Sequence, residues 1–187
     1  MRPRPSWRRK GEEGGSLVEM ALVSAFVFLP TIFAIFEVSF AVYSYNYVSQ
    51  MARLATRYAV VRGSFSCAIQ SNFADCNMGP GGGSNPTTPD GSTALQNYVR
   101  SYGYPGINLS NVTVTATWWT ADVTNPGTGS FSNTQWDIAC TDTTAGACNP
   151  PTSAVKVKVS YSYPLNIPFW KQVTIPMSST SEMVINE

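Results

Sequence analysis

The residue types that most often carry catalysis are sparse in this chain of 187 residues. There is no histidine, which removes Ser-His-Asp and Cys-His nucleophile arrangements. Asp75, Asp90, Asp122, Asp137 and Asp142 are scattered over stretches of Gly, Ser, Thr, Asn and Pro. They read most simply as turn residues that bond their own backbone, and a carboxylate pair for glycoside hydrolysis would need an unfamiliar fold to bring two of them together. Gly79-Pro80-Gly81-Gly82-Gly83-Ser84 has no Gly-Lys-Ser/Thr after it and no apolar strand before it, so it does not read as a phosphate cradle. The expectation is a protein that is not an enzyme and needs no cofactor.

Four cysteines allow three pairings. Cys67 with Cys76 and Cys140 with Cys148 is the expected set, because each pair brackets a Gly/Asn/Ser-type loop and closes a short ring. Each bridge would contribute about 2–3 kcal/mol, chiefly by restricting the unfolded loop, and paired cysteines imply an oxidising compartment. A metal site fits poorly: the spacings within each pair exceed those of zinc sites, and histidine is absent.

Two acids stand out by position. Glu19 and Glu37 lie in an otherwise charge-free stretch that runs to Ala52, so the element holding them decides what they do. Met20 to Phe36 carries no charge. As a helix rising about 1.5 Å per residue it is long enough for a hydrocarbon core of roughly 30 Å. A helix that enters the membrane near Gly15 brings Glu37 roughly 33 Å further along, close to the far interface, where a carboxylate escapes the penalty of the bilayer centre. Glu37 then pairs with a basic group of a partner, serves an intramembrane site, or marks the interface beside Tyr43, Tyr45 and Tyr47; the length favours the interface. Pro30 falls mid-helix, where a kink is better tolerated in lipid than in water. It either eases bending of the helix or is neutral to packing.

Arg2, Arg4, Arg8, Arg9 and Lys10 precede the apolar run and place the N-terminus in the cytoplasm. The run is longer than that of a secretory signal, and the bulky Tyr43, Tyr45 and Tyr47 after it do not suit a late cleavage site. Past the interface, Val48, Met51, Ala52, Ala55, Ala59 and Val60 recur near helical spacing, so the helix is expected to reach about Arg62 and stop at Gly63. Arg53 and Arg57 stack at i,i+4 on a solvated face or near lipid phosphates.

At these residues a resemblance enters. Gly14, followed five positions later by Glu19 and an apolar helix, looks like the cleavage junction of type IV prepilins. Gly15-Ser16-Leu17-Val18-Glu19-Met20-Ala21-Leu22-Val23, then Pro30, Ile35-Phe36-Glu37-Val38 and Ala52-Arg53-Leu54-Ala55-Thr56-Arg57-Tyr58-Ala59, is similar to the TadE-like family of minor pilins or pseudopilins of Flp-type, tight-adherence pilus systems. The resemblance covers about the first third of the chain. Met20 stands where an aromatic is common, and Glu12-Glu13 interrupt the basic leader.

The resemblance implies a cut by a prepilin peptidase between Gly14 and Gly15, with Gly15|Ser16 ranked second. It also implies a bacterial inner-membrane location with the C-terminal domain outside the cytoplasm. The partners implied are other pilin subunits or itself, the inner-membrane assembly machinery and membrane lipid. Glu19 then neutralises the new α-amino group on its own or a neighbouring subunit; the simpler reading leaves it in the headgroup layer, where it favours the helix N-terminus.

From Ser64 onward the chain is rich in Ser, Thr, Asn, Gly and aromatics and poor in charge, a composition suited to a β-containing external domain. Ser92 is expected to cap a short helix carrying Leu95, Tyr98, Val99 and Tyr102. Asn111 to Thr120 and Ala154 to Tyr163 alternate as strands. A last strand is expected over Gln172 to Met177, resuming at Ser181 to Ile185. Gly79 to Ser84 and Thr124 to Thr134 read as loops. The fold class is α+β: a long N-terminal pilin-like transmembrane helix, then a small domain with a short helix and an antiparallel sheet having one wet face.

The parts are a leader (1–14), a transmembrane and assembly helix (15–62) and an external domain (63–187). The net charge of +1, with its basic excess in the leader, offers no footprint for nucleic acid. Trp118, Trp119, Trp136 and Trp170 either fill the core or line a carbohydrate or partner surface. Trp118 and Trp119 must point to opposite faces of one strand, and an exposed Trp119 would support adhesion. The expected function is a pilin or pseudopilin subunit assembled through its N-terminal helix; the alternative is an uncleaved, single-pass anchored extracytoplasmic binding module, such as one for glycans.

Overall fold

The computed structural model describes residues 12–63, 66, 77–80, 91–119, 139–140, 148–166 and 171–185. The leader up to residue 11, Cys67, Cys76, Trp136, Trp170, the five aspartates named above and the loop over 124–134 lie outside the described residues.

One helix, α1 (Glu12–Val60), runs through 49 residues and is uninterrupted at Pro30. Its two halves differ in what surrounds them. Residues 15–43 are exposed or half-buried. From Ser44 onward a stripe at i, i+3, i+4 spacing goes under, comprising Ser44, Tyr47, Val48, Met51, Ala52, Ala55, Thr56 and Ala59. Arg53 and Arg57 stay on the open side. Of the residues expected at helical spacing, Val48, Met51, Ala52, Ala55 and Ala59 are buried and Val60 is half-buried, while Ser44, Tyr47 and Thr56 join the stripe unexpectedly.

The stripe lies on a four-stranded antiparallel sheet made of β1 (Val112–Trp119), β2 (Ala139–Cys140), β3 (Ala154–Leu165) and β4 (Val173–Val184), in the order β2-β1-β3-β4. In β3, Val155, Val157, Val159, Tyr161 and Tyr163 face inward while Lys156 and Lys158 face out. In β1, Val112, Val114 and Trp118 are buried and Thr113 and Thr115 are exposed. Register couples the two patterns, Val114 opposite Val159 and Trp118 opposite Val155, so both inward sets share one face. The second helix, α2 (Gly91–Ser101), covers β1 while α1 covers β3 and β4. Full burial of side chains such as Leu95 and Val99 contributes about 1.5–3 kcal/mol each.

Three details depart from expectation. Ser92 sits within the first turn of α2, and its Oγ accepts from Ala116 N at 3.2 Å, tying the helix to β1 rather than capping it. Tyr102 is exposed, so the buried stripe of α2 is Ala94, Leu95 and Val99. The last strand does not break: β4 pairs with β3 at every position from Ala154↔Val184 to Leu165↔Val173. The expected gap between Met177 and Ser181 is paired throughout, with Ser179 and Ser181 opposite the inward Val159 and Val157. Small side chains there let α1 come close, and Thr56 Oγ1 lies 3.3 Å from Ser181 O. Pro176 is compatible with β4 because this is an edge strand.

Candidate functional site

The N-terminal half of α1 exposes its apolar side chains all around: Leu17 is 72% exposed and Phe28 66%. It is a helix long and apolar enough to cross a membrane. Its hydroxyls are also provided for. Ser24 Oγ donates to Ala21 O at 2.9 Å, Thr31 Oγ1 to Val27 O at 2.7 Å and Ser39 Oγ to Ile35 O at 2.8 Å. No polar side chain between Met20 and Phe36 therefore needs a partner outside its own helix, as a lipid environment requires.

Glu19 lies on this open half among Ser16, Met20 and Val23, exposed and with no partner among the described residues. A Cβ added at Gly15 would meet nothing within 4 Å. The fold brings neither residue to any other expected site, so whatever Glu19 pairs with is not supplied by the described parts of its own chain.

Glu37 is different. Tyr163 Oη, near the end of β3, donates to Glu37 Oε2 at 2.7 Å. Burial first, then this hydrogen bond and the charge of Glu37, push the Tyr163 phenol from 10.0 up to about 12. The carboxylate is thus held at the neck between the exposed half of α1 and the sheet. Tyr163 as the hydrogen-bond donor to Glu37 is not among the three readings the sequence offers for this carboxylate. The parity of β3 puts Tyr163 on the inward face with Val159 and Tyr161; nothing local could say that this face reaches Glu37.

On another side of the neck Tyr104 packs against Tyr43 and Tyr47, with ring centroids 6.0 and 4.8 Å apart, and donates through Oη to Gln50 Oε1 at 3.3 Å. A groove of about 370 Å³ lies beside it, lined by Phe36, Ser39, Phe40, Tyr43, Pro105 and Gly106.

At the opposite end of the domain, where α1 stops, the Arg62 guanidinium lies 3.4 Å from the centroid of the Tyr58 ring, and Tyr58 stacks on Tyr98 at 3.8 Å. Burial, then the hydrogen bond to Tyr102, push the Tyr98 phenol up to about 12. Asn149, fully buried, donates through Nδ2 to Asn77 Oδ1 at 3.0 Å and to Met78 O at 2.8 Å, fixing the short segment that follows α1 in space. Next to it Cys148 is bonded to Cys140, the second of the two expected bridges. No group of three or more His, Cys, Asp or Glu placed to hold a metal ion occurs among the described residues.

Trp118 is buried in the core, and Trp119 takes the opposite face as strand geometry demands. It is half-buried rather than exposed, with Lys156 Nζ 5.8 Å from its ring centroid.

The open and docked parts of α1 up to Arg57 form one unit in a further respect. Residues 14–57 match the family model for TadE-like protein. This segment is TadE-like. The match begins at the Gly14 junction and takes in Glu19, Pro30 and Glu37 together with most of the stripe buried on the sheet. The TadE-like segment thus includes both the exposed apolar half of α1 and most of the part packed on the sheet. No curated protein and no solved structure matches the chain.

Proposed function

We propose that this chain is a pilin or pseudopilin subunit of a Flp-type, tight-adherence pilus. It is inserted in a bacterial inner membrane as a precursor, cut by a prepilin peptidase after Gly14, and packed through α1 against other subunits or further copies of itself. The single observation that carries this reading is the coincidence of the TadE-like match over residues 14–57 with a helix whose first half is apolar, exposed on all sides and without a covering element among the described residues. Such a surface is satisfied by lipid before assembly and by neighbouring helices after it.

In this reading Glu19, one turn from the new N-terminus at Gly15, neutralises an α-amino group in a low-dielectric helix bundle and sets register. The external domain, held to α1 by the Ser44–Ala59 stripe, forms the outer surface and contributes to surface contact or to pilus biogenesis.

Intact-mass and N-terminal analysis of the protein from membranes and from sheared surface material tests the proposal. A chain beginning at Gly15 in the sheared fraction supports processing and assembly. A full-length chain confined to the membrane overturns it in favour of an uncleaved anchored binding module.

A further inference from the structure

The sheet has two edges, and the chain treats them differently. On β1 the outward backbone groups belong to the even-numbered residues, since Trp118 pairs with Cys140 of β2. Two more of this set are engaged by α2. Arg100 Nη2 donates to Val112 O at 3.1 Å, while Ser92 Oγ accepts from Ala116 N at 3.2 Å and donates to Ala116 O at 3.4 Å. A short strand and two side chains thus close this edge at Val112, Ala116 and Trp118, a protection that keeps further strands from adding to a sheet.

β4 is the other edge. Ile185 N donates to Ser153 O at 2.7 Å, so the odd-numbered residues of this stretch turn their backbone groups toward β3 and the even-numbered ones turn theirs outward. Pro176, which has no N–H to give, falls in the outward set. Beyond it, the outward groups of Ser178, Thr180, Glu182 and Val184 meet no partner among the described residues. β4 has 12 residues, against about 5–6 for most strands, and carries no lysine. Its guard stops at Pro176.

The side chains along this edge are also unfinished. Met177 is half-buried and Met183 is 39% exposed, both on the face turned to α1, so the apolar layer under the helix continues to the rim of the sheet. On the opposite face Glu182, the single charge of β4, lies 3.6 Å from Lys156 Nζ with both side chains exposed.

The direction of β4 bears on what can join it. Thr56 meets Ser181, and Glu37 meets Tyr163, which pairs with Ile175. Moving from Ile175 to Ser181 therefore moves from Glu37 to Thr56, and β4 runs in the same sense as α1. Copies anchored in one membrane point α1 the same way. An antiparallel β4–β4 pair about a two-fold axis, the closed arrangement for two identical edges, would point their helices in opposite directions. The edge on β1, closed as described, offers no alternative.

We propose that the Ser178–Val184 edge of β4 receives an extended strand from a different protein, with apolar side chains at alternate positions beside Met177 and Met183 and a lysine or arginine beside Glu182. Main-chain hydrogen bonds hold such a strand, and the alternating side chains select it. The proposal goes beyond the pilin reading and uses from it only the common direction of α1. Processing at Gly14 does not enter it, so N-terminal analysis and the following experiment fail independently.

The full chain, in nanodiscs of phosphatidylethanolamine and phosphatidylglycerol at one copy per disc, is titrated with a fluorescent peptide of the β3 sequence from Ala154 to Ser162. β3 is the strand that β4 already accepts on its inner edge, with Lys156 opposite Glu182. The expected result is saturable binding, with amide exchange at Ser178, Thr180 and Glu182 fast in the free protein and slowed several-fold by the peptide. Thr180→Pro, and separately Ser178→Pro, each remove one outward donor without touching the β3 ladder. Each is expected to weaken binding about tenfold, with thermal unfolding close to the parent's. Outward amides already slow in the free protein, binding that leaves them fast, or no binding overturns the proposal. Slow outward amides that arise only in discs holding two copies make the occupant a second copy of the chain and overturn the strand from a different protein.

Discussion

Tyr163 Oη and Glu37 Oε2 lie 2.7 Å apart across 126 positions of sequence, joining the end of β3 to the helix at the level where it leaves the domain. Tyr163 is 8% exposed, so the bond is sheltered on the tyrosine side while the carboxylate keeps some contact with its surroundings. A hydrogen bond to a charged group is worth about 1.5–3 kcal/mol at most sites, and residual access at Glu37 lowers the expected loss. Tyr163→Phe is expected to reduce stability of the sheet domain by about 1 kcal/mol, measured by thermal unfolding in detergent. It is also expected to speed amide exchange near Glu37. An unchanged exchange pattern there would show that the neck is held by packing alone.

The same pair makes stability depend on alkaline pH. The Tyr163 phenol is raised from 10.0 to about 12, so the folded state binds its proton more tightly than the unfolded chain does. The stabilisation is complete below pH 10 and is lost as the pH rises through about 12. Because Tyr98 titrates in the same window, the quantity to measure is the difference between the parent and Tyr163→Phe in a series of unfolding experiments from neutral to strongly alkaline pH. Glu37→Gln is expected to bring the Tyr163 midpoint part of the way back toward 10.0, since burial is the larger cause and survives that change.

Gly91 is where α2 begins against the core tryptophan. A Cβ there would clash with the Trp118 indole, coming within 2.7 Å of Cζ2, and would lie 2.8 Å from Gly79 O. Gly91 N also donates to that same carbonyl at 3.0 Å, so the backbone has little freedom to withdraw. Gly91→Ala is expected to cost about 1–3 kcal/mol, as overpacking does, and to alter the near-ultraviolet dichroism of the tryptophans. Gly103→Ala, whose Cβ would meet nothing within 4 Å, is the matched control and should leave both unchanged.

The bond between Cys140 and Cys148 closes a short loop, with a separation of 8, beside the buried Asn149. Replacing both cysteines by serine is expected to lower stability by about 2–3 kcal/mol on the loop-entropy account. Thermal unfolding compares the double variant with the parent. An effect well beyond this range would mean that the bridge also holds Asn149 on Asn77 and Met78, which Asn149→Ala, measured in the variant and the parent, would show as non-additivity.

Much of this molecule could be read before its fold was known, because the relevant signals are local. An apolar run of membrane length, a stripe from Val48 to Ala59 at helical spacing and strict alternation from Val155 to Tyr161 are each imposed by which side must face lipid, core or water. They recur within one element and need no knowledge of the others. The TadE-like character is of the same kind, carried by a contiguous segment. Tertiary structure alone decided the relations between elements. It kept β4 whole through four small polar residues, since Ser179 and Ser181 lie under a helix lined with alanines. It moved Ser92 from a cap to a tie on β1 and half-buried Trp119. It also gave Glu37 a donor from the far end of the chain, because hydrogen bonds between elements depend on register and packing direction, which no single stretch of residues encodes.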